Sequence, residues 1–76
     1  MFEKIKDIIL QYNDVPPESI TPDTSFLADI HMNSLNIAAM AGDIEDEFDI
    51  SIEMEDMSGI YTIRQLMDYI KEKEVT

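Results

Sequence analysis

No cysteine occurs in this 76-residue chain, so neither a disulfide nor a thiolate-held metal can staple it. A chain this short lies near the lower limit for folding on its core alone. It must therefore commit a large share of its residues to helix or sheet faces that bury one another. Hydrophobic residues make up 45% of it, which separates it from a disordered acidic tail. One domain, spanning residues 1–76, is all that this length accommodates.

Three apolar stripes supply the core. Phe2, Ile5, Ile8, Ile9 and Tyr12 recur at spacings of three and four, which predicts a helix over 2–12. Asn13, Asp14 and Pro16-Pro17 end it. Ile37, Met40, Ala41, Ile44 and Phe48 share a face of a second helix over 34–48, with Asp43, Asp46 and Glu47 off that face. Ile63, Leu66, Met67 and Ile70 form the stripe of a last helix over 62–73. Thr62 followed by Gln65 reads as its capping box.

Between the first two helices lies a segment of unusual length, 13–33, holding Pro16, Pro17 and Pro22. Loops this long carry function or their own anchors. Val15, Ile20, Phe26, Leu27 and Ile30 are the anchors expected here, with a helical turn near 25–29. The stretch "DISIEME" alternates like a strand, yet no second strand exists to pair with it. An extended linker followed by a helical turn near 55–58 is the reading preferred. The predicted fold is all-α: a small bundle of three main helices and a short fourth, with a long first loop.

Charge narrows the functions. Seventeen acids face five bases, a net charge of −12. No Lys or Arg occurs over 7–63, where thirteen acids lie, eight of them over 43–56. Such a field repels nucleic acid and anionic lipid and attracts basic protein surfaces and divalent cations. The acid-rich "DEFDISIEMED" lacks the glycine and ligand spacing of an EF-hand loop, so screening rather than a specific metal site is expected. The sequence shows neither a targeting segment nor a run of about 20 apolar residues. A cytoplasmic protein, monomeric and not inserted in membranes, is the expectation. One histidine and no cysteine leave no nucleophile–base arrangement, so direct catalysis is not expected.

The stretch "DIHMNSLN" raises the functional question. Asn33 and Ser34 are both good helix N-caps, and either fills that role with no further purpose. Alternatively, Ser34 is a hydroxyl meant to be esterified. A helix N-terminus offers unpaired N–H groups and partial positive charge, which suit a phosphate even on an acidic protein.

The chain resembles an acyl carrier protein over nearly its whole length. The resemblance runs through the first amphipathic helix, "TPDTSFLADIHMNSLN", "DIEDEFDISI" and the closing "TIRQLMDYI". In that family, the serine of an Asp-Ser-Leu triplet opens the second helix. A phosphopantetheinyl transferase esterifies it with 4′-phosphopantetheine from coenzyme A, and the arm's thiol carries acyl groups as thioesters. The resemblance makes Ser34 the attachment residue, with Asn33 as helix cap and transferase recognition residue beside Leu35. It implies docking of enzymes with basic patches on Leu35, Glu45, Asp46 and Glu47. It also implies an acyl pocket lined by Ile37, Ala41, Ile44, Phe48, Ile60 and Ile63, and a carrier of acyl or aminoacyl intermediates for fatty-acid, polyketide or related biosynthesis.

The sequence departs from the family in three places. Asn33 replaces the usual aspartate, keeping an oxygen acceptor and losing a charge. An interaction module that docks without ever being modified is the alternative this raises. His31 and Met32 stand where a small residue such as glycine is common. "AAMAG" makes the second helix small, and Ala39 lacks the acid usual on the docking face, which points to a specialised pathway.

Overall fold

The structure, a computed structural model, describes the backbone of residues 1–75 and the side chains of residues 1–74. Four α-helices follow in order: α1 (Phe2–Leu10), α2 (Ser34–Phe48), α3 (Met54–Met57) and α4 (Ile63–Val75). A single 3₁₀ turn, Pro17–Ser19, lies in the long first loop. No strand forms among the described residues, and the all-α bundle with one short helix stands as the sequence implied.

Each stripe buries its face. Ile5, Ile8 and Ile9 of α1 meet Met40, Ala41 and Ile44 of α2 and Ile63, Leu66 and Ile70 of α4 in one core. A fully buried side chain of this size contributes about 1.5–3 kcal/mol by leaving water. Phe2, Tyr12, Ile37, Phe48, Ile60 and Met67 pack against the core from partly buried positions. No helix of the described residues is long and apolar enough to cross a membrane.

Helix α1 stops at Leu10, two residues before the predicted end. The N–H groups of Gln11 and Tyr12 bond back to the carbonyls of Ile8 and Ile9, three residues away, so the last turn tightens and closes. The Asn13 side chain then donates to the Ile9 carbonyl at 3.2 Å.

The long loop is anchored from within. Ile20, Phe26, Ile30 and Met32 are buried in the core. Leu27, expected among these anchors, is instead exposed, because the turn at 25–29 swings it outward. That turn is a single set of bonds from Asp29 and Ile30 N–H to the Ser25 carbonyl, not continued into helix. Backbone bonds from Phe26 to Tyr61, Ile63 to Thr24 and Arg64 to Pro22 stitch the loop to the start of α4. Thr24, buried, accepts from the Thr21 N–H at 2.8 Å.

The Thr62–Gln65 capping box forms. Gln65 N–H donates to Thr62 Oγ1 and Thr62 N–H to Gln65 Oε1, each at 3.2 Å. The helical turn expected at 55–58 lies one residue earlier, as α3. Gly42 has open space where a Cβ would stand, so no close neighbour requires glycine in mid-helix.

Candidate functional site

The start of α2 resolves the question of the cap. Asn33 is the N-cap, with extended backbone (φ −92°, ψ 177°). Its side chain accepts the Asn36 N–H at 2.8 Å, and the Asn36 side chain accepts the Asn33 N–H at 3.5 Å, closing a reciprocal box. The Ile37 N–H bonds to the Asn33 carbonyl at 2.9 Å. Ser34, the first helical residue, takes no part in the cap and is exposed. The N–H groups of Ser34 and Leu35 precede the helical ladder, so the partial positive charge of the helix end sits beside the hydroxyl.

The approach to this turn is unusual. His31 is left-handed (φ 55°), exposed, and set between buried Ile30 and Met32. Met32 N–H then bonds to the Phe26 carbonyl at 2.8 Å, which fixes the path into Asn33. A histidine thus holds a conformation that glycine adopts without cost.

A cavity of about 280 Å³ opens beside Ser34, lined by Leu27, Ser34, Ile37, Met54, Met57 and Ser58. It lies where the long loop, the first turns of α2 and α3 converge. Of the six residues expected to line a pocket, Ile37 lines this one. Ala41, Ile44 and Ile63 are buried in the core, while Phe48 and Ile60 pack against it. Sequence reasoning missed Leu27, Met54, Met57 and Ser58. Their signal was faint: Leu27, Met54 and Met57 are apolar residues outside any helical stripe, and Ser58 reads as an ordinary turn residue.

The expected docking residues separate into two kinds. Leu35 is 81% exposed. Asp46 is exposed too. Glu45 accepts the Ile52 N–H at 2.8 Å and so shapes the connection from α2 to α3. Glu47 pairs with Lys4 of α1 at 2.6 Å, in an exposed bridge that raises the Lys4 pKa, first through the hydrogen bond and then through charge. Tyr12 donates a hydrogen bond to Asp43, which raises the tyrosine pKa ahead of burial and charge. Two of the acids expected to meet a partner are thus engaged by the chain itself. Among the described residues no group of three or more His, Cys, Asp or Glu is placed to hold a metal ion.

The family model for the phosphopantetheine attachment site matches residues 3–70. An acyl carrier protein of Syntrophus aciditrophicus (strain SB) is 38% identical over 74 residues, covering 97% of this chain and 92% of the relative. This chain belongs to the acyl carrier protein family. Acyl carrier proteins are carriers rather than enzymes, and their domain is the one to which phosphopantetheine is attached. The residues present fit that group. An exposed hydroxyl at a helix N-terminus suits a phosphoester, and an apolar cavity adjoins it.

Proposed function

We propose that Ser34 is the residue esterified by 4′-phosphopantetheine, and that this acyl carrier protein presents acyl intermediates to enzymes of fatty-acid, polyketide or a related biosynthesis. One observation carries the reading. Asn33 performs the capping, which leaves the Ser34 hydroxyl exposed at the mouth of an apolar cavity. The bound group supplies a thiol that holds the cargo as a thioester, which a chain without cysteine cannot supply itself.

The chain's own residues perform three tasks. The first-turn N–H groups of Ser34 and Leu35 favour the phosphate's negative charge. Asn33 and Asn36 hold that turn in place through their reciprocal bonds. Leu27, Ile37, Met54 and Met57 offer an apolar lining, which suits an acyl chain better than a charged aminoacyl group. The net charge of −12 draws enzymes with basic surfaces at long range and speeds encounter more than it tightens a complex.

The unmodified docking module is the second reading, and Asn33 is the observation that favours it. The test compares the wild-type chain with Asn33→Asp, each incubated with coenzyme A, Mg²⁺ and a broad-specificity phosphopantetheinyl transferase. Intact mass reports the gain of one phosphopantetheine. Both chains should gain it, the aspartate variant faster. No gain in either would favour the module.

A further inference from the structure

Attachment of the prosthetic arm places a phosphodiester, and so a negative charge, on a chain already at −12. The chain offers little to balance it. No Lys or Arg occurs over 7–63. Of the flanking bases, Lys4 pairs with Glu47, Lys6 with Glu3 and Arg64 with Asp23. His31 is therefore the one side chain of that span that can turn positive. It stands three residues before Ser34. Three residues reach at most about 11 Å when fully extended, and the chain turns here, with His31 at φ 55°. An imidazole at 31 and a phosphate on Ser34 Oγ are together long enough to close that gap. The fold also fixes the side on which His31 sits. Ile30 and Met32 beside it are buried, and their N–H groups bond to the carbonyls of Ser25 and Phe26 at 3.3 and 2.8 Å. His31, Asn33 and Ser34 are all exposed.

The acids in the neighbourhood set the balance. From His31 to Gly42 there is none, so no carboxylate on this stretch competes for the imidazole. Beside the residues that line the cavity stand Asp29 on the loop and Glu53, Glu55 and Asp56 at α3, all exposed. Asp29 accepts the Ser25 N–H at 2.7 Å and Asp56 the Tyr69 hydroxyl at 2.8 Å. All four repel an added phosphate. We propose that His31 is the counter-charge of the phosphodiester on Ser34: its imidazolium holds the root of the arm against the start of α2 at mildly acidic pH and releases it as pH rises past neutrality. The inference rests on Ser34 being the attachment residue. Histidine ordinarily changes charge between about pH 5 and 8, whereas a phosphodiester stays ionised throughout. The arm pivots at that phosphate, so this hold governs how freely its thiol sweeps.

Phosphorus NMR of the modified chain tests this. Wild type, His31→Gln and His31→Lys are each modified with coenzyme A, Mg²⁺ and a broad-specificity transferase, then freed of Mg²⁺. All three residues carry a Cβ, so the left-handed strain at position 31 is common to them. The diester does not titrate between about pH 5.5 and 8, so its resonance moves only with a neighbouring group. One step is expected in wild type and none in either variant. Thermal midpoints, modified minus unmodified, give a second readout. In wild type the difference should be about 2–4 °C larger at pH 5.5 than at pH 8, the scale of an exposed ion pair in a domain this small. A proton held more tightly by the modified folded chain stabilises it at low pH, and that stability is lost as pH rises. His31→Lys, charged throughout, should keep the larger difference at both pH values, and His31→Gln at neither. A flat wild-type resonance, or a step that survives in His31→Gln and so belongs to another group, would overturn the proposal. Tandem mass spectra keep the two claims apart. No group on the peptide bearing Ser34 contradicts the Ser34 reading itself. A group there with a flat resonance contradicts only the role of His31.

Discussion

Asn33 decides what Ser34 is free to do. Replacing Asn33 with alanine should cost about 1 kcal/mol of stability, read in urea unfolding, because the Asn36 N–H loses its acceptor. Asn33→Asp should keep the cap and add a favourable charge at the helix end, leaving stability equal or higher. Among the described residues, His31 and Asp49 are the two non-glycine residues with positive φ, at 55° and 54°. His31→Gly should therefore stabilise the fold by roughly 0.5–1 kcal/mol, the left-handed cost relieved less the added unfolded-state entropy. A thermal midpoint raised by a few degrees would show it, and a lowered midpoint would mean that the imidazole holds the loop. That Ser34 opens the second helix was legible in its sequence context. Which residue capped α2 was not, because Asn33 and Ser34 cap equally well and the third helical residue is Asn36, not the Glu or Gln that signals a box.

The three long helices were legible because their apolar residues repeat at helical spacing over several turns. Their ends were less so. Tyr12 continues the stripe of α1, yet it lies beyond the helix and bonds to Asp43 from the closing turn. The cavity was the hardest element to foresee, since Leu27, Ser34, Met54 and Met57 come from three segments brought together only by the tertiary fold. Helix α3 spans four residues and buries one of them, Met57. The Tyr69 hydroxyl bonds to Asp56 at 2.8 Å and ties α3 to α4. Amides of α3 should exchange with solvent faster than those of α2 and α4. Tyr69→Phe should speed α3 further while leaving the core of α2 unchanged. Uniform acceleration across all helices would instead mean that this bond supports the whole fold.

At the scale of the whole molecule, charge governs the response to conditions. The pKa of Tyr12 is raised by the hydrogen bond to Asp43, that of Tyr69 by burial and then by Asp56, and that of Lys4 by the bond to Glu47. A raised folded-state pKa means that the folded chain holds these protons more tightly than the unfolded chain. The stability is then fully present below the ordinary values of 10.0 for tyrosine and 10.5 for lysine, and is lost as pH rises through the raised ones. Thermal midpoints should accordingly fall above about pH 10, and Tyr12→Phe should flatten that fall. Self-repulsion at −12 should make added salt stabilising near neutrality. Mg²⁺ should do no more than KCl at matched ionic strength, and a clear excess for Mg²⁺ would reveal a specific site. All-α architecture and acidity were readable from composition and period. The internal pairing of Asp43, Glu45 and Glu47 was not, because Tyr12, Ile52 and Lys4 reach those acids only through the packing of α1 and the fold of the α2–α3 connection.

Tandem mass spectrometry of the chain after incubation with coenzyme A, Mg²⁺ and a phosphopantetheinyl transferase tests the central claim most directly. A single phosphopantetheine is expected on the peptide bearing Ser34, absent from Ser34→Ala. A group carried instead on Ser58 across the cavity, or no group even after Asn33→Asp, would contradict it.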